Sequence, residues 1–169
     1  MDEKFKIENG ILVEYNGNDE RVYIPEGVIK IGADVFREHS EITYVKLPEG
    51  LEVIGEYAFA YCENLKNVSV PNSLRSIEQK AFIFCENLEK FFVPPGVTRI
   101  ADCAFNSCIK LQTGFIPNGI EQVSASAYGG CPNITVFFRG RRYRNSPPFN
   151  YSYALERDIG SLADGLTDH

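Results

Sequence analysis

The chain has 169 residues, the length of one domain, and its 44% hydrophobic and 24% charged residues exclude intrinsic disorder. A net charge of −6 and a pI near 5.0 argue against a dedicated nucleic-acid binder, which is usually basic. No apolar run approaches the ~18 residues that span a bilayer, and Met1-Asp2-Glu3-Lys4 starts no signal peptide, so the chain as given reads as cytoplasmic and not membrane-inserted.

At the N-terminus, Phe5–Tyr15 reads as a β-hairpin around Asn9-Gly10, because a type I′ turn needs positive φ at both central residues. A second turn over Asn16-Gly17-Asn18-Asp19 leads into Arg21-Val22-Tyr23-Ile24, which reads as the first strand of a repeat region. Residues 1–23 are therefore expected to form an N-terminal β-hairpin cap.

From Ile24 a 23-residue period runs through five units, opening at Ile24, Leu47, Val70, Val93 and Ile116, each followed by proline. One column holds Val28, Leu51, Leu74, Val97 and Ile120, and another Ile31, Ile54, Ile77, Ile100 and Val123. Phe36, Phe59, Phe82, Phe105 and Tyr128 form a third, and Ile42, Leu65, Leu88, Leu111 and Ile134 a fourth. A unit this short cannot bury its own apolar face, but stacking sets each column over its equivalent in the next coil. The pattern predicts an α/β repeat solenoid over residues 24–140, with one short parallel strand per coil. Val68 and Val70 alternate as in a strand, the following proline ends it, and Gly55–Ala60 has room for about one helical turn.

After Phe138 the repeat stops. Arg139, Arg141, Arg142 and Arg144 form a local basic cluster, and Asn145-Ser146-Pro147-Pro148 breaks the chain. Tyr151–Leu166 predicts a short amphipathic helix with Leu155, Ile159, Leu162 and Leu166 on one face. Residues 141–169 read as a C-terminal cap or tail, with an interaction arm as the alternative.

The pattern Leu47-Pro48-x-x-Leu51-x-x-Ile54-Gly55-x-x-Ala58-Phe59-x-x-Cys62-x-x-Leu65-x-x-Val68 resembles the BspA-like class of bacterial leucine-rich repeats, over Ile24 to Phe138. The resemblance implies a right-handed solenoid and a surface or secreted binding protein, which competes with the cytoplasmic reading. It supplies no catalytic residues to carry over.

Chemistry is limited by what is scarce: two histidines, of which His169 ends the chain and His39 is the candidate, one methionine and no tryptophan. Cys62, Cys85, Cys108 and Cys131 share one repeat position, which lays them out in a line where a metal site needs convergence. A buried stack of thiols is the simpler expectation, with His39 as the first unit's substitute in that column. Cys103 makes the number odd, which fits a reducing compartment. No phosphate loop, nucleophile elbow or paired-histidine motif occurs, so neither an enzyme nor a cofactor is expected.

The surface with most information is the outward strand face. With Val45, Val68 and Phe91 pointing inward, one outward column reads Lys46, Ser69, Phe92, Phe115 and Phe138, and its partner reads Tyr44, Asn67, Lys90, Thr113 and Val136. Exposed contiguous phenylalanines mark an interface or are covered by other chain, here the segment around Pro147-Pro148-Phe149. A third outcome follows from Gly114, which leaves its coil without an inward side chain and invites a bulge that turns Phe115 inward. The expected function is a non-catalytic module presenting these ten residues to a protein or peptide partner. An adhesin for host protein or carbohydrate and a self-associating structural protein are the alternatives.

Overall fold

Pro25, Pro48, Pro71 and Pro117 end the strands that precede them and tight turns bound the others, so every strand is short and the coils stack through two narrow ladders rather than one broad sheet. The computed structural model describes residues 4–139 and 141–144, except for the side chains of Tyr143 and Arg144. The helix expected over Tyr151–Leu166 and the segment around Pro147-Pro148-Phe149 lie outside the described residues.

β1 (Phe5–Glu8) and β2 (Ile11–Tyr15) pair antiparallel, with Asn9 at φ 51° and Gly10 at φ 78° in the turn. β3 (Arg21–Tyr23) follows. Successive coils then contribute β4 (Lys30–Ile31) and β5 (Tyr44–Lys46), β6 (Val53–Ile54) and β7 (Asn67–Ser69), then β8 (Ser76–Ile77). After these come β9 (Arg99–Ile100) and β10 (Thr113–Phe115), β11 (Gln122–Val123) and β12 (Thr135–Phe138), and finally β13 (Arg141–Arg144). One ladder runs β1-β2-β4-β6-β8-β9-β11, parallel from β2 onward. Leu12 lies beside Ile31 in that ladder, so the hairpin joins the stack directly. The opposite ladder holds β3-β5-β7 and β10-β12-β13, joined by single bridges from Lys90 to Asn67 and Thr113.

The core between the ladders is the set of repeat columns. Phe36, Phe59, Phe82, Phe105 and Tyr128 stack with ring centroids 4.9, 5.1, 5.3 and 5.2 Å apart and planes within 6° of parallel. Alongside, each thiol donates a hydrogen bond to the carbonyl of the phenylalanine one coil below: Cys62 to Phe36 (2.9 Å), Cys85 to Phe59 (3.1 Å), Cys108 to Phe82 (3.2 Å) and Cys131 to Phe105 (3.1 Å).

The one-turn helix expected at Gly55–Ala60 is not formed. Ala58 N–H donates to Gly55 O and Ala60 N–H to Tyr57 O, three residues back, while Tyr57 and Phe59 donate across to Gln79 and Ala81 of the next coil. Tyr57 (φ 53°) and Tyr61 (φ 60°) are left-handed, as are Asp34, Lys80 and Cys103 in the first column and Glu38, Phe84 and Ser107 in the second. A left-handed residue every fourth position breaks the helical run, and the freed N–H groups bond between coils instead. The architecture is thus a parallel-strand solenoid with tight turns.

The 23-residue register also fails once, at the last coil. Thr113, Gly114 and Phe115 pair with Thr135, Val136 and Phe137, a spacing of 22. In the first coils two successive N–H groups share one carbonyl before the strand: Thr43 and Tyr44 both donate to Glu20 O, and Lys66 and Asn67 to Thr43 O. In the last coil Ile134 still stands 23 residues after Leu111, but Thr135, the next residue, already pairs with Thr113, so the place held by Gln112 has no counterpart and one residue is lost. The cause is the gap at Gly114: a Cβ built there would meet Val136 and Ile134 at 3.4 Å and the Tyr128 ring at 3.5 Å. Those side chains occupy the space beside Gly114, and Phe91 of the preceding coil packs against the Phe105 ring with centroids 4.8 Å apart. The expectation that Val136 and Phe138 face outward is therefore corrected. Val136 is 0% and Phe138 3% exposed, and Phe137 takes the outward place. The bulge at Gly114 expected to turn Phe115 inward is not formed: Phe115 stays outward, 47% exposed.

Candidate interaction face

Eight of the ten expected residues lie on the outer strand face. Lys46, Asn67, Ser69, Lys90, Phe92 and Phe115 are exposed, and Tyr44 and Thr113 half-buried. Phe92 is 61% and Phe115 47% exposed, which leaves two large apolar side chains in water on adjacent coils. Phe137 stacks on Phe115 at 5.2 Å with an 18° interplanar angle, completing a three-ring column in which it replaces Phe138. Shallow grooves flank the column. One of about 380 Å3 runs between Phe92, Pro95, Phe115 and Pro117, and another of about 360 Å3 between Lys90, Phe92, Gln112 and Phe115.

The face extends further than the ten residues at both ends. Arg21 and Tyr23 precede Tyr44 and Lys46 by one period and occupy the same two columns in β3, paired directly with them. The Arg21 guanidinium lies 4.2 Å from the centroid of the Tyr44 ring, and its Nε donates to Tyr23 Oη at 3.3 Å. Stepping the period one unit back from Tyr44 and Lys46 would have included both. At the other end, β13 pairs antiparallel with β12, Arg142 opposite Phe137. Arg142, Phe137, Thr135 and Thr113 together line a groove of about 620 Å3. Nothing in the 23-residue period announces Thr135, Phe137 or Arg142, because the register slip lies between them and the preceding coils.

The remaining residues with reactive side chains are locked in structural roles. Cys62, Cys85 and Cys108 are buried, and burial pushes their thiols well above the ordinary value. Burial also pushes Cys131 up to about 11. Thiols so protonated are poor nucleophiles and poor metal ligands. His39 opens this column, its Nδ1 2.6 Å from Glu41 Oε1 and its ring edge-on to Tyr15 at 5.3 Å. Tyr15 in turn donates from its hydroxyl to Asp19 Oδ2 at 2.8 Å, which the Lys4 ammonium also contacts at 2.8 Å, clasping the hairpin to the first coil. Among the described residues no group of three or more His, Cys, Asp and Glu side chains is placed to hold a metal ion, and no helix is long and apolar enough to cross a membrane.

Comparison with known proteins identifies the repeat. The BspA type leucine rich repeat region matches residues 10–135 in six copies. That is one more than the five units opening at Ile24, and β2 and β3 account for the extra turn. No curated protein matches the chain. The leucine rich repeat protein of T. pallidum superposes with a TM-score of 0.72 at 27% identity, over 75% of this chain and 62% of that one. A leucine rich cell surface protein of Faecalibacterium prausnitzii gives 0.72 at 27% identity, over 78% and 35%. The pneumococcal vaccine antigen PcpA shares the fold, with a TM-score of 0.69 at 22% identity over 92% of this chain and 43% of that one. The chain thus spans 62% or less of the length of these proteins. Its repeat, its ladders and these neighbours agree: the chain belongs to the BspA-type leucine-rich-repeat family, whose members are bacterial repeat proteins.

Proposed function

We propose that the protein is a non-catalytic interaction module that presents its outer strand face, with the aromatic column toward its C-terminal end, to a protein or peptide partner. The observation that carries this reading is the exposure of Phe92 and Phe115 with Phe137 stacked beside them. Aromatic side chains of this kind dominate binding energy when a partner removes them from water. Stacking of Phe137 on Phe115 also holds those two rings in place before binding, which lowers the ordering cost of association.

The test compares wild type with a Phe92→Ser, Phe115→Ser, Phe137→Ser variant in capture from bacterial and host-cell extracts, with each captured species identified by mass spectrometry. A species held by wild type and lost from a folded variant supports the strand face. Equal capture by both moves the contact elsewhere. A second reading, a surface adhesin for host protein or carbohydrate, is favoured by the F. prausnitzii protein, which is described as a cell surface protein. Binding on a glycan array that survives in the Ser variant would favour a different face for that role.

A further inference from the structure

The two outward strand columns carry charge of one sign. Reading up the stack, one outward column is Arg21, Tyr44, Asn67, Lys90, Thr113 and Thr135, and the other is Tyr23, Lys46, Ser69, Phe92, Phe115 and Phe137. Neither column contains an aspartate or glutamate, although the whole chain has 23 of them and a net charge of −6. Glu20, Glu26, Glu49 and Glu89 flank the strands in sequence; Glu20 acts electrostatically on Arg21, and Glu89 lines the groove beside Phe137 and Arg142. Among the described residues Lys46, Lys90 and Arg142 make no ion pair, whereas Lys4, Lys6, Arg37 and Arg99 each meet a carboxylate.

The two halves of the face differ. Arg21 and Lys46 lie on the two N-terminal rungs and Phe115 and Phe137 on the two C-terminal ones, while Lys90 and Phe92 share the rung before Phe115. Six rungs at ~4.8 Å span about 24 Å, the reach of about eight extended residues. We infer that the ligand of this face is an extended acidic polypeptide segment lying along the stack, its carboxylates over Arg21, Lys46 and Lys90 and its apolar side chains over Phe92, Phe115 and Phe137. This inference rests on the strand-face reading above and adds the partner's chemistry. Charge complementarity supports it: cations without an ion pair among the described residues, on a molecule of negative net charge, attract an anionic strand and orient it before contact. The same arrangement disfavours a second copy, since another chain of net charge −6 approaches with its own cationic face opposed.

A random dodecapeptide display library panned on the full chain tests this. The expected winners carry a block of Asp and Glu beside a block of aromatic or aliphatic residues. A labelled synthetic winner, followed by fluorescence anisotropy, should bind about tenfold more weakly to a Lys46→Glu, Lys90→Glu variant. Its binding should also weaken as salt rises to roughly 0.5 M. Both lysines are exposed, and a Lys46→Gln, Lys90→Gln variant gives a milder loss of the same sign if the reversal impairs folding. Winners without acidic enrichment that are lost on the Phe→Ser variant would overturn the acidic inference and keep the strand face. Winners indifferent to both variants, or none at all, would overturn both. Tighter binding of a sulfated oligosaccharide than of any peptide, or concentration-dependent dimers lost on the Phe→Ser variant, would assign the face to a different occupant and also overturn it.

Discussion

At the residue scale, the cysteine column shows how a repeated side chain becomes a structural part. Each thiol is buried and donates to the phenylalanine carbonyl one coil below, so it fills space and satisfies a backbone acceptor together. Its folded-state pKa is raised, to about 11 for Cys131 and further for the three inner thiols, against ~8.5 in an unfolded chain. The unfolded state therefore loses protons first as pH rises. Stability is fully present below about pH 8.5 and falls as pH climbs toward 11, by ~1.4 kcal/mol per pH unit for each thiol. Urea midpoints at neutral and alkaline pH should show this fall, and Cys85→Ala, Cys108→Ala should flatten it. A midpoint independent of pH would contradict the burial. At neutral pH a thiol reagent should label the half-buried Cys103 in the native protein and leave the other four untouched until unfolding.

At the scale of single elements, β12 and the Gly114 gap behave as one unit. Gly114→Val would place methyl groups against Val136, Ile134 and Tyr128 and should cost about 1–3 kcal/mol. Adding Val136→Ala to that variant should recover part of the loss, giving a coupling of about 1 kcal/mol in a double-mutant cycle by chemical denaturation. Additive effects would show that the two positions do not share the space. This same element marks the limit of what the sequence could show. Through the first four units the columns place Val45, Phe91, Phe92 and Phe115 on the correct side of the strand, because polar neighbours such as Lys46 and Asn67 settle which face is wet. Thr135-Val136-Phe137-Phe138 has apolar residues at both parities, so a slip by one residue leaves a strand that reads equally well. Ile134 stays in its column and conceals the lost residue. The turns were illegible for another reason. Glu56, Tyr57, Ala58 and Phe59 are all compatible with helix, and bulky residues such as Tyr57 and Tyr61 give no hint of a left-handed backbone, which usually calls for glycine or asparagine. The second ladder went unforeseen because its strands are two residues long, too short for alternation to register.

At the scale of the whole molecule, stability is the sum of coil-to-coil contacts rather than of one central core. Phe82 contacts rings above and below, at 5.3 and 5.1 Å, so Phe82→Ala opens a cavity between three coils and should cost about 3–5 kcal/mol. Phe92→Ser removes a ring that is mostly in water and should change stability by less than about 0.5 kcal/mol. Thermal melts of the two variants separate the roles, since comparable losses would mean that Phe92 holds the fold together. Backbone conformation gives an independent check on the architecture. A solenoid of short strands and turns over residues 4–139 should show a far-ultraviolet circular dichroism spectrum without a strong helical double minimum from that region, and a helix in every coil would produce one.

The antiparallel seat of β13 on β12 has an evolutionary consequence. A parallel coil added by tandem duplication after Phe138 would find its edge already occupied, and it would inherit a spacing of 22 where its neighbours keep 23. Duplication of an internal unit, such as Leu47–Ser69, meets neither obstacle: it inserts a phenylalanine, a cysteine and one rung of each ladder in step. Lineages that lengthen or shorten this protein are therefore expected to do so near the middle, stretching the cationic half of the face while the phenylalanines and the slipped final coil travel together as an inherited block.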